Sequence, residues 1–165
     1  MMQVKSEHLE TIASHAQECY PQECCGVLLG KVEGDEVILL EVVRTENGWN
    51  EEMAERLEEM GMGGKTKMER YAIAPQTLLK LQKDARSHHL QIIGFYHSHP
   101  DHPAIPSECD RLLAWPDYHY IIVSVIQGRA TDLKDWVLDP NHQFQPSPLE
   151  NILNTDPHQG KTELQ

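Results

Sequence analysis

Gln91-Ile92-Ile93-Gly94-Phe95-Tyr96-His97-Ser98-His99-Pro100 is an apolar run that closes on two histidines and a proline. Gln91 to His97 reads as a buried strand. Side chains two apart on a strand face the same way, so His97 and His99 converge on one side of the sheet. Pro100, Pro103 and Pro106 then recur at every third position, a spacing that favours an extended loop without ladder bonds. A short helix is expected from Glu108 to Ala114, with Ser107 and Asp110 at its start.

The rest of the chain supplies partners for that strand. Ser6 to Tyr20 predicts a helix, with Ser6 as N-cap and Leu9, Ile12, Ala13 and Ala16 on one face. Pro21 ends it. Cys25 to Gly30 and Val37 to Val43 read as a hairpin across Glu33-Gly34-Asp35. Residues 45–70 read as an exposed acidic insertion, with a short Glu-rich helix over 50–60 and a glycine-rich tip at Gly61-Met62-Gly63-Gly64. Arg70 to Ala74 is expected to be a strand. Pro75 opens a helix to His88 that offers Leu78, Leu79, Leu81 and Ala85 for burial. Tyr118 to Ile126 and Thr131 to Leu138 complete the sheet across Gly128. The order of elements predicts the α/β (α+β) class, a mixed sheet flanked by helices. No glycine-rich phosphate loop follows any strand. Residues 1–145 form one domain in this reading, and 146–165 a polar tail.

Bulk composition narrows the function classes. With 26 acidic against 14 basic residues the formal net charge is −12, which opposes binding to nucleic acid. No apolar run approaches the ~20 residues of a membrane span. Met1 to His8 lacks the apolar stretch of a signal peptide, which predicts a cytoplasmic protein with no membrane partner. Cys19, Cys24, Cys25 and Cys109 contain no C-x-x-C pair, so they are expected to be reduced thiols, mostly buried.

Chemistry concentrates at the strand end. Two imidazoles and a carboxylate, with a fourth position left to water, is the ligand set of a hydrolytic zinc site. His97, His99 and Asp110 are the candidate ligands. Ser107-x-x-Asp110 is also a capping arrangement, and a capped first turn would hold Asp110 rigid. Ser107 has two candidate roles, as the cap or as a donor to a developing oxyanion. Hydrolysis also needs a proton acceptor, and no glutamate lies between the histidines. Glu23, at the turn before the Cys25 strand, is the candidate base. Glu108, at a helix start, reads as a solvent-facing acid favoured by the helix dipole.

His97-Ser98-His99-Pro100, the six residues Asp101 to Pro106, Ser107, two more residues and Asp110 match in every position the signature of the JAMM (MPN-plus) zinc metallopeptidases, which the chain resembles from about residue 3 to 140. Glu23-Cys24-Cys25-Gly26-Val27-Leu28-Leu29-Gly30 is similar to that family's glutamate-bearing strand entry. The resemblance implies Zn2+ held by His97, His99 and Asp110, Glu23 as general base and Ser107 stabilising the tetrahedral intermediate. It implies a mixed sheet between helices, similar to cytidine deaminases, and cleavage of amide or isopeptide bonds after the C-terminal Gly-Gly of ubiquitin-like proteins. Tyr96 to Ala104 looks most like the bacterial branch, associated with ubiquitin-fold sulfur-carrier proteins, and one activity there is release of cysteine during cysteine synthesis. Two other readings stand beside it: a non-catalytic scaffold or binding module, and a zinc hydrolase of another peptide or a small molecule. A nucleoside deaminase is set aside because H-x-E and P-C-x-x-C are absent.

Overall fold

The computed structural model describes residues 1–59, 61 and 66–152. Its strands are β1 (Met2–Val4), β2 (Cys25–Glu33), β3 (Glu36–Thr45), β4 (Gln91–Pro100), β5 (His119–Ile126), β6 (Arg129–Leu138), β7 (Phe144–Ser147) and β8 (Leu149–Asn151). The helices are α1 (Ser6–Cys19), α2 (Glu51–Glu59), α3 (Pro75–Ser87) and α4 (Glu108–Leu113). One mixed sheet of eight strands runs in the order β7-β6-β5-β4-β2-β3-β1-β8. The expected class, a mixed sheet flanked by helices, is the observed one.

Only Pro148 separates β7 from β8, yet they occupy opposite edges of the sheet. The sheet therefore curls until a single stretch of chain pairs with both ends, β6 on one side and β1 on the other. Inside the curl lies α1. Its Ile12 and Ala16 pack with Leu28, Leu39, Tyr96, Ile121 and Val123 in one core. On the outer face a second core joins Val27, Phe95 and Tyr120 to α3 through Ala85, Leu78 and Leu81. Each helix thus contributes an apolar stripe at helical spacing.

Several expectations are corrected. The N-cap of α1 is Lys5, whose backbone N–H donates to His8 Nδ1 at 3.3 Å, and Ser6 is the first helical residue. Leu79 is exposed, because the buried stripe of α3 passes through Leu78, Leu81 and Ala85 and leaves it outside. Residues 70–74 form no strand. Both neighbours of β2 and of β4 are already in place, so no sheet edge is free there. Asn47 satisfies the backbone of the segment instead: its Nδ2 donates to Arg70 O, and its Oδ1 accepts from Ala72 N. The tail begins later than residue 146, because β7 and β8 use residues up to Asn151 to close the sheet. Met62, Gly63 and Gly64 of the expected tip, and the tail from 153, lie outside the described residues. Among the described residues no helix is long and apolar enough to cross a membrane.

Gly94 sits where β4 and β5 approach too closely for a side chain. A Cβ there would lie 2.2 Å from the backbone oxygen of His119, an atom that cannot swing aside. Overpacking of this kind costs roughly 1–3 kcal/mol, about 2–4 °C of melting temperature per kcal/mol in a domain of this size. Gly94→Ala is therefore expected to lower the melting temperature measured by circular dichroism. An unchanged value would refute so tight a pairing.

Candidate metal centre

The sheet register assembles the first half of the site. Antiparallel pairing sets Cys25 opposite His97, and two further residues along each chain bring Glu23 abreast of His99. One ligand atom from each of Glu23, His97 and His99 lies within 4.8 Å of the other two. The turn carrying Glu23 is fixed on every side. Cys24 N donates to Ser98 Oγ at 2.8 Å, Ser98 N to Cys24 O at 3.2 Å, and Glu23 N to Lys67 O at 2.7 Å. His97 is 1% exposed and Glu23 4%, so both are removed from water.

The crossover from β4 to its parallel neighbour β5 supplies the other half. Parallel strands need a long connection, and α4 lies on it. Ser107 Oγ accepts from Asp110 N at 3.0 Å, and Asp110 Oδ2 accepts from Ser107 N at 2.8 Å. The capping role foreseen for Ser107 is thus occupied through its oxygen, and its hydroxyl hydrogen stays available. The far end of α4 is clamped as well: Arg111 Nη1 donates to His142 O at 3.4 Å, and His142 Nε2 donates to Arg111 O at 2.8 Å. So held, Asp110 places Oδ1 at 3.3 Å from His97 Nε2 and Oδ2 at 3.1 Å from His99 Nε2. The two imidazole nitrogens are 3.1 Å apart.

These distances fit a metal ion. His99 Nδ1 lies 2.9 Å from Pro103 O, which can only accept, so Nδ1 donates and Nε2 of the neutral ring presents a lone pair. A cation placed among that lone pair, the Asp110 carboxylate and the second imidazole nitrogen would be coordinated by all three at once. Tetrahedral coordination at zinc's usual ~2.0–2.1 Å sets ligand–ligand separations of about 3.3–3.4 Å. The observed 3.1–3.3 Å lies close to that. A carbonyl partner orients His99 in the manner usual for ligating histidines. His97 Nδ1 is buried with no hydrogen-bond partner among the described residues, and its ring is held by stacking on Tyr71, centroids 4.5 Å apart and planes at 21°.

The two carboxyl groups titrate in opposite directions. Burial, and then the charge of Asp110, push Glu23 up to about 9. Burial also works to raise Asp110, but the charges and hydrogen bonds of His97 and His99 hold it well below the usual carboxylate range. Burial lowers His97 against the raising effect of Asp110, which favours the neutral form that binds a cation. Paired groups driven apart in this way mark acid–base machinery.

Sequence reasoning missed the wall built by the insertion. Its return limb sets Tyr71 on His97 and Arg70 beside Glu23, while Asn47 pins that limb by accepting and donating to its backbone. Its outgoing limb is also packed: Leu57 of α2 and Trp49 bury against Cys109, next to Asp110. No periodicity or spacing in residues 45–74 announced these contacts. Two pockets meet at Glu23 and Arg70. One, of about 230 Å3, is lined by Tyr71, Phe95, Leu113, Trp115 and Tyr120; the other, of about 330 Å3, by His99, Pro103, Ile105 and Ser107.

Comparison with known proteins agrees with this architecture. Desampylase from Haloferax volcanii is 31% identical over 135 residues, 79% of this chain and 84% of that protein. A solution structure of a Desulfitobacterium hafniense protein superposes with a TM-score of 0.72 at 24% identity, covering 93% of this chain and 96% of the other. A JAB1/MPN domain protein from Archaeoglobus fulgidus shares the fold with a TM-score of 0.53 at 18% identity, over 93% and 98% of the two chains. The family model for prokaryotic homologues of the JAB domain matches residues 5–139, spanning every element from α1 to β6, and the chain belongs to that family.

Proposed function

We propose that this chain is a zinc-dependent hydrolase that cuts the amide or isopeptide bond after the C-terminal Gly-Gly of a ubiquitin-like protein, a sulfur carrier acting in the cytoplasm. The observation that carries the proposal is the convergence of His97, His99 and Asp110 on one point with Glu23 alongside. His97, His99 and the ionised Asp110 are the ligands. Zinc bound there supplies a Lewis acid for the scissile carbonyl and lowers the pKa of water towards ~7. Glu23, raised to about 9 without a cation and returned towards its ionised form by one bound beside it, would take the proton of the attacking water and hand it to the departing amine. Ser107 Oγ–H, unused by the cap, donates to the oxyanion.

Substrate geometry supports the same reading. The cluster is recessed between two pockets, and only a chain without side chains brings its carbonyl close to buried groups, as a glycine pair does. The relative from Haloferax volcanii bears the name desampylase, consistent with a tail-cleaving activity. The domain, closed by strands that run to Asn151, acts as one catalytic unit, with the 45–70 insertion as its substrate-facing wall.

The test is a panel of ubiquitin-fold proteins ending in Gly-Gly, each extended by an amino acid or joined to a lysine side chain, with products weighed by mass spectrometry. Cleavage directly after the second glycine is expected. Cleavage elsewhere, or of ordinary peptides at equal rates, would overturn the substrate.

A further inference from the structure

Arg70 is a cation in an acidic setting. It lines both pockets together with Glu23 and Glu69, in a chain of net charge −12. Its Nη1 donates to Glu69 O at 3.0 Å. Its Nε is buried without a hydrogen-bond partner among the described residues. A buried donor left unpaired is costly, roughly 1–3 kcal/mol. The edge of the guanidinium that carries Nε is also the one that meets a carboxylate with two parallel bonds.

Resting on the function proposed above, we infer that Arg70 anchors the free α-carboxylate of a single amino-acid residue departing from behind the Gly-Gly. The α-carboxylate of such a residue is one Cα away from the scissile nitrogen, so its anchor must stand beside the proton-transferring acid. Arg70 shares both pockets with Glu23 and meets that demand. Each additional residue carries the carboxylate up to ~3.3–3.6 Å further on, out of step with the guanidinium. A lysine joined through its side chain has no carboxylate near the bond and leaves Nε unpaired. Without a local positive charge, Glu23, Glu69 and Asp110 would repel an incoming carboxylate. The chemistry is hydrolysis: water adds to the carbonyl, the C–N bond breaks, and the amino acid leaves with a proton on nitrogen.

The experiment takes the ubiquitin-fold protein cut fastest in the panel above and extends it by one cysteine, as the free acid or the C-terminal amide. Two-residue and lysine-linked extensions complete the set. Wild-type enzyme is expected to favour the free acid over the amide by about 10- to 100-fold in kcat/KM, carried mainly by KM. Arg70→Gln is expected to bring that ratio to about one, and Arg70→Lys to leave part of it. Because both substrates meet the same preparation, the ratio is independent of how much variant folds. Equal wild-type rates on acid and amide, or an undiminished preference in Arg70→Gln, would overturn the anchor and leave the proposed function standing. Failure to cut any member of the panel would overturn both.

Discussion

Glu23→Gln is expected to retain one zinc per chain while losing about 10²- to 10⁴-fold of turnover, the range associated with removing a general acid–base group. The substitution preserves shape and the backbone bonds that fix the turn, Glu23 N to Lys67 O and Asn47 Nδ2 to Glu23 O. It removes only the atom that accepts a proton. Burial and the neighbouring Asp110 raise this carboxyl to about 9, and a dication bound beside it draws the value back down. A metal bound there would therefore turn a carboxyl that holds its proton into one able to exchange it near neutrality. Metal content by atomic absorption separates the two roles. Loss of zinc with activity would make Glu23 a ligand, and undiminished turnover would hand the proton transfer to another group.

Legibility of this chain followed the range of the interactions. Strand and helix periods in residues 25–43, 75–88 and 91–138 are local, and the elements they predicted exist with shifted ends. The candidate ligand set is nearly local too: His97 and His99 share a face by alternation, and Ser107 and Asp110 meet by the three-residue spacing of a cap. Glu23 needed one step more, since only the pairing of β2 with β4 brings it to the histidines. Tyr71, Arg70 and Asn47 needed the fold itself. They lie in segments without regular structure, and their contacts (Tyr71 with His97, Asn47 with Glu23 and with Arg70) each span 23 positions or more in no repeating pattern. The strands β7 and β8 were hidden for the same reason. Three- and four-residue strands have no readable period, and they exist because two distant sheet edges come to meet them.

Removing the metal is expected to abolish turnover and to lower the melting temperature. His97→Ala and Asp110→Ala are each expected to lose zinc along with activity. His97, His99 and Asp110 bring their ligand atoms to 3.1–3.3 Å of one another, and a tightly held ligand adds RT ln(1 + [L]/Kd) to folding stability. Proton linkage gives this prediction a second readout. The Glu23 carboxyl titrates at about 9 in the folded, metal-free chain against 4.5 for the ordinary group. The folded state thus binds the extra proton between those values. This contribution is fully present below the lower value and is lost as pH rises through the upper one. The chelated wild type should therefore lose stability between about pH 5 and pH 9, relative to chelated Glu23→Gln. With zinc bound that difference should shrink, because the cation stabilises the ionised carboxylate. Parallel melting curves of the two chelated proteins across the window would contradict the burial of Glu23, and full zinc occupancy in His97→Ala would remove that residue from the ligand set.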